Sequence, residues 1–173
     1  NLYGGIYRDV ELIVTDKTTV SPLYYGTEGV IVVPSKVSTE GVEGSVSVAL
    51  IGKKDAQCNV TVDIVSPDGY VADTKSVKAK IDGKMLHVPF SVTNPELWSL
   101  HKPSLYRVDV VVGADTVSLN TGFRRLEVTP QHLLTLNGKQ VPVRGVNLCH
   151  DNAKRGNALT QSDYDADFAT IKS

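Results

Sequence analysis

From residue 44 to residue 123 the chain alternates apolar and polar side chains with a period of two. Val46, Val48 and Leu50 are separated by Ser47 and Ala49, and Cys58, Val60, Val62 and Ile64 by Asn59, Thr61 and Asp63. Leu86, Val88, Phe90 and Val92 alternate with His87, Pro89 and Ser91, and Tyr106, Val108, Val110 and Val112 with Arg107, Asp109 and Val111. A period of two puts the apolar set on one face and leaves the other face wet, as an antiparallel sheet over a core requires. The pattern predicts seven strands, over 29–35, 44–51, 57–66, 74–81, 85–93, 105–112 and 115–123. No helical period interrupts them. Asp82-Gly83 and Gly113-Ala114 suit tight hairpins, and Pro67-Asp68-Gly69 is a turn signal. Seven short strands in about 100 residues predict an all-β fold, two antiparallel sheets packed face to face in an immunoglobulin-like sandwich.

Individual residues refine this picture. Tyr106 opens the sixth strand, where such sandwiches often carry a tyrosine whose hydroxyl ties down a loop. Trp98 lies in a proline-flanked connection and is expected to plug the end of the sandwich. Lys78 and Lys80 alternate with Val77, Ala79 and Ile81 and would blunt an exposed sheet edge. Upstream, Val10–Val14 reads as a short strand in need of a sheet edge.

The pattern changes after residue 128. Leu134 and Leu136 face Val141 and Val143 across Asn137-Gly138, a strong hairpin signal. Arg144-Gly145-Val146-Asn147 then reads as a strand, followed by a polar loop containing Gly156. Thr160 stands three residues before Asp163 in a capping-box pattern, and Tyr164, Phe168 and Ile171 form one helical stripe. Strand, loop and helix make one β/α step with no partner in the chain. Its apolar residues Val146, Leu148, Phe168 and Ile171 are expected to pack on the sandwich or on a second copy of the chain, so self-association through these ends is expected.

Composition narrows the classes of function. Eighteen basic residues against nineteen acidic give a net charge of −1, which argues against nucleic acid as a partner. No apolar run approaches the ~18 residues needed to span a bilayer, so no membrane partner is expected. The first residues do not read as a signal peptide, and the chain begins at Asn1 rather than Met. Cys58 and Cys149 make no disulfide framework and are expected to be free thiols. Asn59-Val60-Thr61 fits a glycosylation sequon but falls inside a strand.

The cluster Asn147, Cys149, His150 and Asp151 is the one place where potentially reactive side chains crowd together. Consecutive residues on an extended segment point in different directions, and no second Cys/His pair stands at a zinc-like spacing. His87, His101 and His132 are scattered. No metal site and no cofactor are expected, and the chain contains neither a G-x-S-x-G elbow nor a phosphate loop.

Three ordered segments carry a resemblance. "GGIYRDVEL" (Gly4–Leu12), "NPELWSLHKPSLYRVDV" (Asn94–Val110) and "TGFRRLEV…LNGKQVPVRGVN" (Thr121–Val128, then Leu136–Asn147) resemble the glycoside hydrolase family 2 enzymes, β-galactosidases most of all. The resemblance implies an internal piece of a longer retaining glycosidase. Residues 1–27 would end a jelly-roll sugar-binding domain, 28–128 would form the immunoglobulin-like sandwich, and 129–173 would supply the lead-in hairpin and first β/α unit of a (β/α)₈ barrel. In that family both catalytic glutamates lie on later barrel strands. Glu96 and Glu127 belong to the sandwich motifs, so the resemblance places no catalytic residue in this chain. A barrel of ~250 residues builds its site from several strands, and one β/α unit cannot close it. The 173 residues alone are therefore expected to be inactive.

There are departures from the family pattern. Leu100-His101 stand where Pro-Glu often follows "LWS". The resemblance makes Asn147, Cys149, His150 and Asp151 the substrate-binding candidates in the whole enzyme, with Cys149 in the column where many members keep a histidine lining the sugar pocket. Arg144 reads as part of the barrel's structure. The implied substrate is a terminal β-galactoside. A β-glucuronide or a β-mannoside would suit the same segment, and a free-standing module that binds carbohydrate or protein is the non-enzymatic alternative. Family members occur in both the cytoplasm and the periplasm, so the compartment stays open.

Overall fold

The computed structural model describes residue 6 and residues 9–173. Of the Gly4–Leu12 motif, Gly4, Gly5, Tyr7 and Arg8 therefore lie outside the described residues. The chain divides into two compact units, residues 14–142 and residues 1–13 with 143–173.

The larger unit is a β-sandwich. Its strands are β1 (Thr19–Val20), β2 (Val30–Val37), β3 (Gly41–Ile51), β4 (Gln57–Val65), β5 (Val71–Lys80), β6 (Met85–Thr93), β7 (Tyr106–Val112) and β8 (Asp115–Thr121). In one sheet β3 pairs antiparallel with β2, β6 and, at its far end, β1. The other sheet runs β5-β4-β7-β8, antiparallel throughout. The alternation predicted seven strands, and β2 to β8 are those seven.

The core is rich in valine because β-branched side chains pack well on a pleated surface. Val42, Val46 and Val48 from the first sheet and Val60, Val62, Val108, Val110 and Val112 from the second are all essentially inaccessible. Each such burial removes a side chain worth ~1.5–3 kcal/mol from water. Phe90, Tyr106 and Phe123 add an aromatic cluster, with ring centroids 5.6 Å apart for Phe90–Phe123 and 4.6 Å for Tyr106–Phe123. Cys58 packs half-buried against this core, and burial pushes its thiol pKa up.

Asp82-Gly83 does not close a hairpin. β5 pairs with β4 and β6 with β3, so this turn carries the chain from one sheet to the other. Gly83 takes the positive φ of 80°, and Asp82 holds the turn by accepting a hydrogen bond from the Lys84 amide at 2.9 Å. Gly113-Ala114 does close a hairpin, with Val112 opposite Asp115 and Gly113 at a φ of 62°. β5 is an edge strand and exposes Lys75, Lys78 and Lys80 along it, as the lysine pattern suggested. Where the two sheets' edges meet, the Asp73 carboxylate accepts from the Ser91 amide of β6 at 2.8 Å and from Lys75 Nζ at 2.9 Å.

A small sheet follows the sandwich: β9 (Leu126–Val128), β10 (Leu134–Leu136) and β11 (Lys139–Gln140), in the order β11-β10-β9. Asn137 and Gly138, at φ 51° and 79°, make the two-residue turn between β10 and β11 with both central residues left-handed.

The smaller unit holds α1 (Gln161–Lys172). Its capping box forms as the sequence indicated: the Thr160 amide donates to Asp163 Oδ2 at 2.8 Å. Two expectations fail here. Val10–Val14 forms no strand, with Val10 80 % and Leu12 90 % exposed. The Arg144–Asn147 segment is extended but joins no ladder. A strand exists through its neighbours, and the described residues offer this segment none. α1 itself buries no residue, and Val146, Phe168 and Ile171 are exposed.

Candidate functional site

Two places collect polar side chains beside shaped backbone: the loop after residue 145, and a cleft at one end of the sandwich.

In the loop, Asn147, Cys149, His150 and Asp151 are all exposed. The structure does not join them, because no side-chain hydrogen bond or ion pair links any of the four to a described residue. Cys149 is a free thiol. The His150 ring meets the Tyr164 ring of α1 edge-on, centroids 6.5 Å apart. Among the described residues no group of three potential metal ligands comes together.

Order in the loop comes from residues next to the cluster. Asn152 Oδ1 accepts from the amides of Lys154 and Arg155 at 3.0 and 2.8 Å, and Asn152 pairs with Gly156 in an isolated antiparallel bridge. Asn152 Nδ2 donates to Asp163 Oδ1 at 3.2 Å, while Arg155 Nε lies 3.4 Å from Asp163 Oδ2. Asp163 thus ties the loop to the start of α1. Hydrogen bonds from the Thr160 amide and hydroxyl, with the Arg155 charge adding to them, hold its carboxyl below the usual carboxylate range. Asn152 went unnoticed in the sequence, although an asparagine four residues ahead of Gly156 is an Asx-turn signal.

The cleft lies within the larger unit and encloses about 650 Å³. The connection between β6 and β7 forms one wall with Leu97, Leu100 and His101, and the β10–β11 hairpin forms the other with Leu136, Gln140 and Val141. Glu96, also on its lining, is hydrogen-bonded by Ser104 and ion-paired with Lys102 at 2.8 Å. That pairing raises the Lys102 pKa and occupies the carboxylate.

Trp98 sits behind this wall, half-buried, as the sequence placed it. Its amide donates to Phe123 O at 2.9 Å and the Arg124 guanidinium lies 5.0 Å from its ring centroid. Gly122 is required beside it, since a Cβ there would stand 2.7 Å from Trp98 Cδ1. The motif residues Trp98, Tyr106, Gly122, Phe123 and Arg124 are thus one packed assembly. Family model and motif coincide here: the model described as glycosyl hydrolases family 2 matches residues 29–124.

The chain belongs to glycosyl hydrolases family 2.

A β-glucuronidase of Bacteroides fragilis is 31 % identical over 99 % of this chain, which covers 26 % of that protein. The β-galactosidase large subunit of Lactobacillus helveticus is 28 % identical over 98 % of the chain, again covering 26 % of the relative. The chain thus spans about a quarter of the length of these curated relatives. A crystal structure of a β-glycosidase from Bacteroides vulgatus superposes with a TM-score of 0.84 over 97 % of the chain and 21 % of that protein, at 24 % identity, and so shares the fold. In this family 2 chain the family model's match, residues 29–124, is the sandwich, and the loop cluster lies beyond that match.

Proposed function

We propose that this chain is the sandwich-bearing segment of a retaining β-glycosidase, and that the whole enzyme removes terminal β-galactosyl residues. The observation that carries the reading is the family 2 match over residues 29–124 in a chain that spans a quarter of its glycosidase relatives. In this reading the sandwich is a spacer and brace: its rigid valine core and the Trp98 assembly hold neighbouring domains at fixed separation. Asn147, His150 and Asp151 would reach the sugar pocket, with Cys149 in a pocket position, once the remaining barrel strands give their loop a wall. Retention of configuration would come from two carboxyl groups ~5–5.5 Å apart, supplied by residues outside this chain.

A second reading keeps the reaction and changes the sugar. It is favoured by the 31 % identity to a protein named β-glucuronidase. Nitrophenyl β-galactoside, β-glucuronide and β-mannoside, assayed in parallel with the intact enzyme, separate the readings. The proposal expects the highest kcat/KM for the galactoside. A preference for the glucuronide replaces it with the second reading, and no turnover of any of the three overturns both.

A further inference from the structure

Asn137 has both ends of its side chain engaged. Its Oδ1 accepts from the Arg125 amide at 2.9 Å and its Nδ2 donates to Trp98 O at 3.0 Å. Its own amide donates to Arg125 O at 2.8 Å. One residue of the β10–β11 turn therefore fastens that hairpin both to the segment leading into β9 and to the β6–β7 connection. With the Trp98 amide held by Phe123 O, the peptide groups on both sides of Trp98 are pinned, and Asn137 supplies the only side-chain bond to its carbonyl among the described residues.

The residue after Asn137 is Gly138, half of a two-residue turn and exposed. No other asparagine in the chain precedes a glycine. With no side chain to hinder it, the backbone nitrogen of a glycine attacks a preceding asparagine most readily. The Gly138 nitrogen bonds to Asn137 Cγ and gives up its proton. The Cγ–Nδ2 bond breaks, ammonia leaves and a cyclic imide forms. Water then opens the imide to aspartate or isoaspartate. Water is the only co-reactant.

We infer that Asn137 is a deamidation site whose side-chain amide latches the Trp98 connection, so that loss of the amide releases that connection in one direction only. An aspartate at 137 still accepts from the Arg125 amide, but it sets an acceptor-only carboxylate against the Trp98 carbonyl. Isoaspartate lengthens the main chain inside a two-residue turn and disturbs the hairpin as well. Both walls of the 650 Å³ cleft meet at this latch, since the connection and the hairpin line it together. The folded state guards the site, because the amide must leave both hydrogen bonds before Cγ is free to react. Breaking two such bonds first slows the reaction by about tenfold or more.

The test uses peptide mapping by mass spectrometry after incubation at mildly alkaline pH, with and without urea, and the emission of Trp98, the chain's single tryptophan. In urea Asn137 converts ahead of every other asparagine, and in native buffer it converts about tenfold more slowly or less. Asn137→Asp and Asn137→Gly, the second keeping a residue that favours the left-handed turn, both shift Trp98 emission to the red and raise its quenching by acrylamide, with the sandwich's circular dichroism unchanged. Equal rates in the two buffers, or folded variants whose Trp98 emission and quenching match the parent, overturn the inference.

Discussion

The hydroxyl of Tyr106 accepts a hydrogen bond from the backbone amide of Glu96 at 2.9 Å. Tyr106 is 2 % exposed at the start of β7, and Glu96 lies in the β6–β7 connection that carries Trp98 and lines the cleft. One bond thus ties a core residue to a functional-looking loop, and burial of the ring raises the tyrosine pKa, keeping the hydroxyl neutral. Tyr106→Phe leaves the Glu96 amide without its partner and is expected to cost about 1–3 kcal/mol. Urea unfolding checks this. A midpoint equal to the parent's would show that the bond contributes nothing.

Gly122 allows Trp98 to lie against the main chain. Gly122→Ala places a methyl group 2.7 Å from Trp98 Cδ1. Overpacking of this kind costs about 1–3 kcal/mol. The expected result is a lower thermal midpoint together with a shifted Trp98 emission. Loss of stability with the emission unchanged would place the strain elsewhere.

Asp63 and Asp109 are directly opposite on β4 and β7, two like charges on the outer face of the sheet. The sheet accommodates them by giving each its own donors, Thr74 to Asp63 and Arg107 with Ser118 to Asp109. Asp63→Asn keeps an acceptor for Thr74 and removes the repulsion, so stability should rise by about 0.2–1 kcal/mol. A fall in the denaturation midpoint would mean that the charge is used elsewhere.

Asp163 gives α1 a pH dependence of defined sign. Its carboxyl pKa is lowered in the folded chain by the Thr160 hydrogen bonds and by Arg155. The contribution to helix stability is therefore full above the unfolded-state pKa and is lost as pH falls through the lowered folded value. Amide exchange or chemical shifts along Gln161–Lys172 should show the first turn loosening in that acid window. Asp163→Asn should abolish the pH dependence, and an unchanged profile would exclude Asp163 as its source.

The sandwich was legible in the sequence because alternation is a direct image of a sheet with one buried face. Val46, Val60, Val88 and Val108 announced their strands. Which strands pair was less legible. Asp82-Gly83 specifies a turn, yet nothing in two residues says whether the chain stays in its sheet or crosses to the other. β1 and β9 are two and three residues long, too short to show a period. Arg144–Asn147 has strand-like residues, but a ladder depends on partners that its own sequence does not contain. The candidate site was legible only as composition. Asn147, Cys149, His150 and Asp151 are adjacent in sequence, which put reactive groups side by side without making them converge. The organising residues, Asn152 and Asp163, are eleven positions apart and meet through a loop turn.

The most direct measurement compares two polypeptides on one substrate: the purified 173-residue chain and the intact enzyme that carries it, each with nitrophenyl β-galactoside. The account predicts turnover by the intact enzyme, with retention at the anomeric carbon, and none above the blank by the 173 residues. Hydrolysis by the 173-residue chain alone, or an intact protein inert toward β-glycosides, would contradict it.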